Sequence, residues 1–312
     1  MSILTGTASW TDPTLLACGR FYPAHVRTAE ARLRHYAGQF RLVEADSSYY
    51  GMPDARTTHL WAMRTPPDFV FNVKAFRLFT GHPAPLRALP ADIRRELPEL
   101  PDHDAPGVPG AHGPGIPVFA NQLPADLYDE LWRRFLLALE PLRMTGKLGA
   151  VHFQFAPWVH ADRRGHALLG DCARRMHEHL MSAEFRHRSW FATPARSAAT
   201  LDLQRDLGVV HTIVDAPQGF DNTVPAVWAA THPELALLRL HGRNAAAWNH
   251  RSGASSGRFQ YEYTPAELAE LALRFTRIAE SVRTAHAVLN TNYQDQGMRN
   301  AAGLAAALAA VR

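Results

Sequence analysis

Short apolar runs that end in polar residues recur along the chain, and longer segments of helical periodicity lie between them. The runs predict eight strands, over 3–9, 41–47, 69–75, 149–155, 183–188, 209–215, 235–241 and 287–292. Helical patterns over 28–39, 126–143, 164–181 and 265–283 are among the segments that separate them. The last of these opens on Thr264 with Glu267 three residues on, a capping box. Strand and helix alternating eight times over is the pattern of a (β/α)8 TIM barrel, and this α/β fold class is the prediction. Such a barrel commonly needs about 250 residues and tolerates insertions, so a single domain over 1–312 is expected.

One segment breaks the rhythm. Residues 81–122, after the third predicted strand, carry Pro83, Pro85, Pro90, Pro98, Pro101, Pro106, Pro109, Pro114 and Pro117. Proline at this density blocks strand ladders and helix interiors, which leaves room for one short helix, over 91–96, and argues against a second domain. A loop that follows a barrel strand rises over the mouth, so the insertion is read either as a surface excursion or as a lid.

The strands also carry a face. Side chains at i and i+2 share one side, and the side that meets the helices must be dry. Val43 and Ala45 are apolar, which turns Glu44 and Asp46 inward. By the same argument Asn72 and Lys74 oppose Phe71, Val73 and Ala75, His152 and Gln154 oppose Val151, Phe153 and Phe155, and Arg239 and His241 oppose Leu238 and Leu240. Phe185 separates Glu184 from Arg186, Asp215 ends the sixth strand, and Asn290 with Asn292 ends the eighth. Barrel interiors are normally filled by Val, Ile and Leu, so this polarity has two explanations. Either Glu44, Asp46, Glu184 and Asp215 neutralise Lys74, Arg186 and Arg239 in a buried network, or the same groups line a binding cavity. Networks of the first kind are poor stabilisers, because desolvation offsets the attraction, which favours the second.

Composition narrows the class. Hydrophobic residues make up 46% and charged residues 20% of the chain, the balance of a globule able to bury a core. No basic segment followed by an apolar run opens the sequence, and no stretch approaches the roughly 18 apolar residues of a spanning helix, so a cytoplasmic location is expected. Cys18 and Cys172 form no CxxC spacing, which fits a reducing compartment and suggests neither disulfides nor a thiolate zinc site. The net charge of +4 comes from scattered arginine and gives only a mild preference for anionic partners.

No dinucleotide or Walker glycine pattern and no GxSxG elbow is present, so a bound nucleotide cofactor and a serine triad are not indicated. Glu44, Asp46, Glu184, Asp215, His187 and His241 are metal-ligand types, but the interleaved Lys74, Arg186 and Arg239 would repel a cation, and no cofactor or metal is predicted. The segment 242–264 mixes Arg243, Trp248, His250, Arg251, Arg258, Tyr261 and Tyr263 with glycine and serine. Loops after strands seven and eight are the usual phosphate site of these barrels, and basic residues among aromatics suit stacking on exposed bases. The plainer reading is aromatics packed on the barrel rim.

The runs Gly6-Thr7-Ala8-Ser9-Trp10, Val43-Glu44-Ala45-Asp46-Ser47-Ser48-Tyr49-Tyr50, Val73-Lys74-Ala75, Glu184-Phe185-Arg186-His187-Arg188-Ser189-Trp190, Arg239-Leu240-His241-Gly242-Arg243-Asn244 and Asn300-Ala301 resemble the YecE-like family, a domain of unknown function. The resemblance implies a TIM-type barrel without a settled activity. It carries over to Glu44, Lys74, Gln154, Glu184, Arg186, His187, Trp190, Asp215, Arg239, His241 and Asn290. Ala8 stands where the pattern has serine, Asp46 where it has asparagine, and Thr291 and Asn292 where it has asparagine and histidine.

Together these readings point to an enzyme acting on a phosphorylated ligand, nucleic-acid-derived or sugar phosphate. Arg186, Arg239 and Lys74 would hold the anion, Glu184 or Glu44 would move protons, and His241 would assist. The remaining candidates, Asp46, Gln154, His187, Trp190, Asp215 and Asn290, would contact the ligand. A nucleic-acid-binding protein without catalysis is the alternative, and a metal-dependent endonuclease-like hydrolase or sugar isomerase the third. Glu184 decides part of this: paired to arginine it stays ionised and orients, and Glu44 becomes the better catalytic candidate, whereas buried without a partner Glu184 suits a general acid.

Overall fold

The computed structural model describes residues 2–97, 117–249 and 259–311. Its strands are β1 (Ser2–Ala8), β2 (Leu42–Ala45), β3 (Val70–Lys74), β4 (Ala84–Pro85), β5 (Pro117–Val118), β6 (Leu148–Gln154), β7 (Met181–Glu184), β8 (Val210–Asp215), β9 (Leu235–Leu240) and β10 (Thr284–Leu289). Eight of them close a parallel barrel in the order β1-β2-β3-β6-β7-β8-β9-β10, and β4 with β5 forms a separate antiparallel ladder. The chain is therefore an α/β TIM barrel, as the periodicity predicts. Among the described residues no helix is long and apolar enough to cross a membrane.

Register and alternation fix what faces the axis. Ala8 pairs with Glu44, Glu44 with Asn72, Lys74 with His152 and Gln154 with Glu184, so these share the inner face. Towards the strand starts the lumen is plugged by a small apolar cluster that includes Leu42, Ala150, Val210, Leu237 and Val288. The main core lies outside the barrel wall, where Val43, Phe71, Phe153, Leu238 and their neighbours pack against helices. The charged residues of the lumen thus lie towards its C-terminal half, while uncharged polar groups reach lower: His286 is level with Leu237 and stands 3.1 Å from Asn72. At Gly6 a Cβ atom would lie 2.0 Å from the Leu42 carbonyl oxygen, so β1 and β2 can approach only because that residue is glycine.

Four details depart from the sequence reading. Strand β7 stops at Glu184, β9 at Leu240 and β10 at Leu289, so Arg186, His241 and Asn290 stand just beyond the strand ends. Strict alternation fails after β8, where residues 216–234 hold no helix. Pro217, Pro225 and Pro233 interrupt that segment, and it packs as extended chain instead: Thr231 Oγ1 accepts from the His211 amide at 2.7 Å and donates to the Val209 carbonyl at 2.7 Å. The helix expected over 164–181 spans Arg163–Arg175, with Asp162 as its cap. Prolines do not prevent the short β4–β5 ladder at the root of the insertion, where Pro85 faces Pro117.

The helix Ala91–Glu96 forms where predicted. Ala84, Leu89, Ile93 and Val118 of the insertion are buried, so its described ends belong to the core. Pro98, Pro101, Pro106, Pro109 and Pro114 lie outside the described residues, as do His250, Arg251 and Arg258. The helix Pro265–Ala279 opens on the predicted capping box of Thr264 and Glu267.

Burial holds His211 and His286 neutral, each with a pKa lowered to about 4. In the unfolded chain both take up a proton near the ordinary value, so their contribution is complete above it and is lost as pH falls through it towards 4. Each should add about 1.4 kcal/mol per pH unit to the slope of unfolding free energy in that window. Urea titrations across pH 6.5 to 4.5 should therefore give a shallower slope for H211Q or H286N than for the wild type; an unchanged slope would show that these imidazoles are not neutral in the fold.

Candidate active site

Arg239 is the centre of the polar lumen, and its side chain is fully buried. Its Nε and Nη2 donate to Glu44 Oε2 and Oε1 at 3.1 and 2.6 Å, a two-point grip from β9 to β2. Its Nη1 donates to Glu184 Oε2 on β7 at 2.5 Å and lies 3.4 Å from Gln154 Oε1 on β6. Burial at this depth disfavours charge, and pairing of this quality is what works against that cost.

Glu184 collects further donors. Arg186 Nη1 reaches its Oε1 at 2.8 Å, and His241 Nε2 lies 3.1 and 3.2 Å from its two oxygens. Asn290 Nδ2 lies 2.8 Å from His241 Nδ1. With the amide as donor, the neutral ring carries its proton on Nε2, facing Glu184. Burial works against the Glu184 charge, but His241 and Arg239 outweigh it and hold the carboxyl well below the usual carboxylate range. Burial also lowers His241 to about 4. Glu184 is therefore an ionised, orienting carboxylate, and the expectation that it acts as a general acid is not supported by its surroundings.

Glu44 behaves differently. Burial raises its pKa, Arg239 opposes the rise, and the Asp46 carboxyl two residues on reinforces it. Burial disfavours the Asp46 charge too, yet Lys74 and Arg239 prevail and keep Asp46 below the ordinary value. The two acids thus divide into one that favours a proton and one that does not. Lys74 Nζ stands 3.7 Å from Asp46 Oδ1 and 4.9 Å from the centre of the Tyr49 ring. That separation is too long for a hydrogen bond.

The structure brings together Glu44, Gln154, Glu184, Arg186, Arg239, His241 and Asn290 in one connected network, with Asp46 and Lys74 at its rim. Three other candidates lie elsewhere. Asp215 pairs in register with Leu240 rather than Arg239, which turns it away from the axis. There it accepts from Arg243 Nη2 at 2.9 Å and from the Tyr263 hydroxyl at 2.6 Å, so its grouping with the inward acids is corrected. Trp190 is a core residue, stacked at 3.9 Å on Phe185, and its Nε1 donates to the Val159 carbonyl at 2.9 Å. His187 stacks on His160 at 3.9 Å, with Nδ1 2.8 Å from Ser189 Oγ.

Arg77, His82, Tyr49 and Trp158 were not singled out by the sequence reading as site residues. Arg77 opens a short turn after β3 and places its guanidinium 5.2 Å from the Tyr49 ring centre. They sit in loops after strands, where active residues of these barrels concentrate but no periodic signal marks them. Trp248 and Tyr263 are buried, in keeping with the plainer reading of aromatics packed against the barrel. The Arg186 guanidinium lies 5.1 Å over the Trp248 ring. Among the described residues no three His, Cys, Asp or Glu side chains converge as a metal site would require. The position between Glu44 and Glu184 is taken by a guanidinium.

Residues 4–312 match a family model described as a protein of unknown function, DUF72. The chain belongs to the DUF72 family. This DUF72 protein is 27% identical over 293 residues to the UPF0759 protein YunF of Bacillus subtilis, covering 93% of this chain and 89% of that one. It is similar to the crystal structure of a DUF72 family protein from Enterococcus faecalis, with a TM-score of 0.75 and 23% identity over 98% of this chain and 95% of the other. A DUF72 family protein from Thermotoga maritima gives a TM-score of 0.74 at 22% identity, covering 99% of this chain and 100% of that one. At these identities the solved structures establish the shared barrel.

Replacing Arg239 in this DUF72 barrel by methionine would leave Glu44 and Glu184 buried without their main partner. The expected cost is about 3–5 kcal/mol of folding stability. Urea denaturation of R239M against the wild type reads it, and a loss below about 1 kcal/mol would contradict the arrangement of the network.

Proposed function

We propose that the mouth of this DUF72 barrel binds a phosphate-bearing ligand, nucleic-acid-derived or sugar phosphate, and performs proton transfer on it. Lys74 and Arg186 receive the anion, and the Glu44–Asp46 pair handles the proton. Arg239, Glu184, His241 and Asn290 act from beneath as the frame that orients these groups.

One observation carries the reading: the cations of the site are unequally engaged. Arg239 has no exposure and its donors are directed at Glu44, Glu184 and Gln154. Arg186 gives one hydrogen bond to Glu184, and among the described residues its Nε and Nη2 have no hydrogen-bond partner. The Lys74 ammonium makes no hydrogen bond among the described residues, and its contacts are the loose pairing with Asp46 and the face of the Tyr49 ring. Both side chains retain a little access to solvent, 10% for Lys74 and 8% for Arg186. Donors held in place without partners suit an oxyanion that arrives from the mouth, because no internal bond has to break first. Asp46, with 19% side-chain exposure, is the carboxylate of the lumen that such a ligand can reach, and Glu44 stands behind it.

Calorimetric titration with ribose 5-phosphate tests this. Removing one charge-assisted hydrogen bond costs about 1.5–3 kcal/mol, so K74A and R186A should each weaken binding by roughly tenfold or more. Binding by the wild type that neither substitution alters would overturn the assignment of the anion to these two cations.

A further inference from the structure

Beside the anion-binding groups runs a strip of aromatic rings. Tyr50 meets Tyr49 edge to face at 5.0 Å, Tyr49 meets His82 at 5.4 Å, and His82 meets Trp158 at 5.5 Å. Lys74 and Arg77 sit over the Tyr49 ring, so the strip begins where the phosphate would be held. Its two ends are open: Tyr50 is 59% and Trp158 36% exposed, and they are the aromatic members of the large exposed apolar side chains among the described residues. The exposed indole leaves a flat apolar surface in reach of a ligand at the mouth. The Trp158 Nε1 donates to the Gly81 carbonyl at 3.0 Å, which fixes the ring and leaves only its π surface to offer.

His82 adds a polar group. Thr80 Oγ1 donates its one hydrogen to the Arg77 carbonyl at 3.0 Å, so the 3.0 Å contact between Thr80 Oγ1 and His82 Nδ1 has the imidazole as donor. The lone pair is then on Nε2, which has no hydrogen-bond partner among the described residues. His82 is buried and neutral, held so by burial and by the charges of Arg77 and Lys74.

We infer that this strip is a subsite for a planar heteroaromatic ring attached to the phosphate, which makes a nucleoside monophosphate the class of ligand. The ring stacks on Trp158, and His82 Nε2 accepts from an amino or hydroxyl group of the ligand. The inference rests on the phosphate reading above. Base-on-aromatic stacking is sequence-tolerant because every base offers a π face, so no single base is specified.

Calorimetry with AMP and with ribose 5-phosphate separates the two claims. The wild type should bind AMP at least tenfold more tightly than ribose 5-phosphate. Trp158→Ala should bring that ratio close to one while leaving ribose 5-phosphate affinity as it was, and Trp158→Phe should restore most of it. Equal affinities of the wild type for both ligands would overturn the ring subsite and leave the phosphate site standing. Binding of neither would overturn both, and a preference for AMP that survives Trp158→Ala in a folded variant would overturn the role given to this residue.

Discussion

A guanidinium cannot be deprotonated in a protein, so an arginine with no solvent contact must be paired or its strand cannot sit where it does. Arg239 meets this constraint by gripping Glu44 and Glu184, and those acids come from strands that are not its neighbours in the barrel order. The result is a tie across the lumen between β9, β2 and β7. Everything at the mouth is placed relative to that tie: Glu184 positions Arg186 and His241, and His241 in turn meets Asn290. Because desolvation largely offsets such pairing, its contribution is to geometry more than to stability. The apolar layers inside and outside the wall supply the latter.

Depth along the barrel axis sorts the side chains by how completely they are engaged. Leu42, Val210 and Leu237 plug the lumen towards the strand starts, the Arg239 network fills the middle, and Lys74, Arg77 and Arg186 stand at the rim. A rim cation above a neutralised layer keeps its field directed outwards, where water and ligands compete for it. Arriving anions would meet donors already oriented, so little reorganisation opposes binding. The same layer beneath limits how far those cations reach inwards, since Glu44 and Glu184 are already engaged by Arg239.

The barrel and the inward face of β2, β3, β6 and β9 were legible because a dry helix layer imposes a period of two on each strand. Glu44, Lys74, Gln154 and Arg239 follow from that alone. Asp215 does not, for β8 is apolar or uncharged on both faces, with Val210, Thr212 and Val214 on one and Ile213 on the other, and alternation there carries no sign. Its partners Arg243 and Tyr263 decide its side, and they come from a loop. Arg186, His241 and Asn290 were found although the strands end before them, because the chain keeps its inward direction for a residue or two past the last ladder bond. Arg77, His82 and Trp158 escaped because a loop has no period, and only the fold shows which loops meet.

The residues of these motifs also divide by role, and their hydrogen bonds tell the roles apart. Asn300 illustrates the structural kind: its Oδ1 accepts from the Tyr263 amide at 3.2 Å and its Nδ2 donates to Thr291 Oγ1 at 3.0 Å. Tyr263 in turn accepts from the Gly242 amide at 2.9 Å and donates to Asp215. Gly242 has a φ of +81°, and a Cβ there would come within 2.4 Å of Tyr261, so only glycine permits the turn that follows His241. The helix Gln296–Val311, which carries Asn300, thereby sets the path by which the chain leaves β9, immediately after the imidazole that faces Glu184. Asp215, Tyr263 and Asn300 thus act on the mouth without facing it, which is why an acid at a barrel strand's end is not by itself a ligand-facing group.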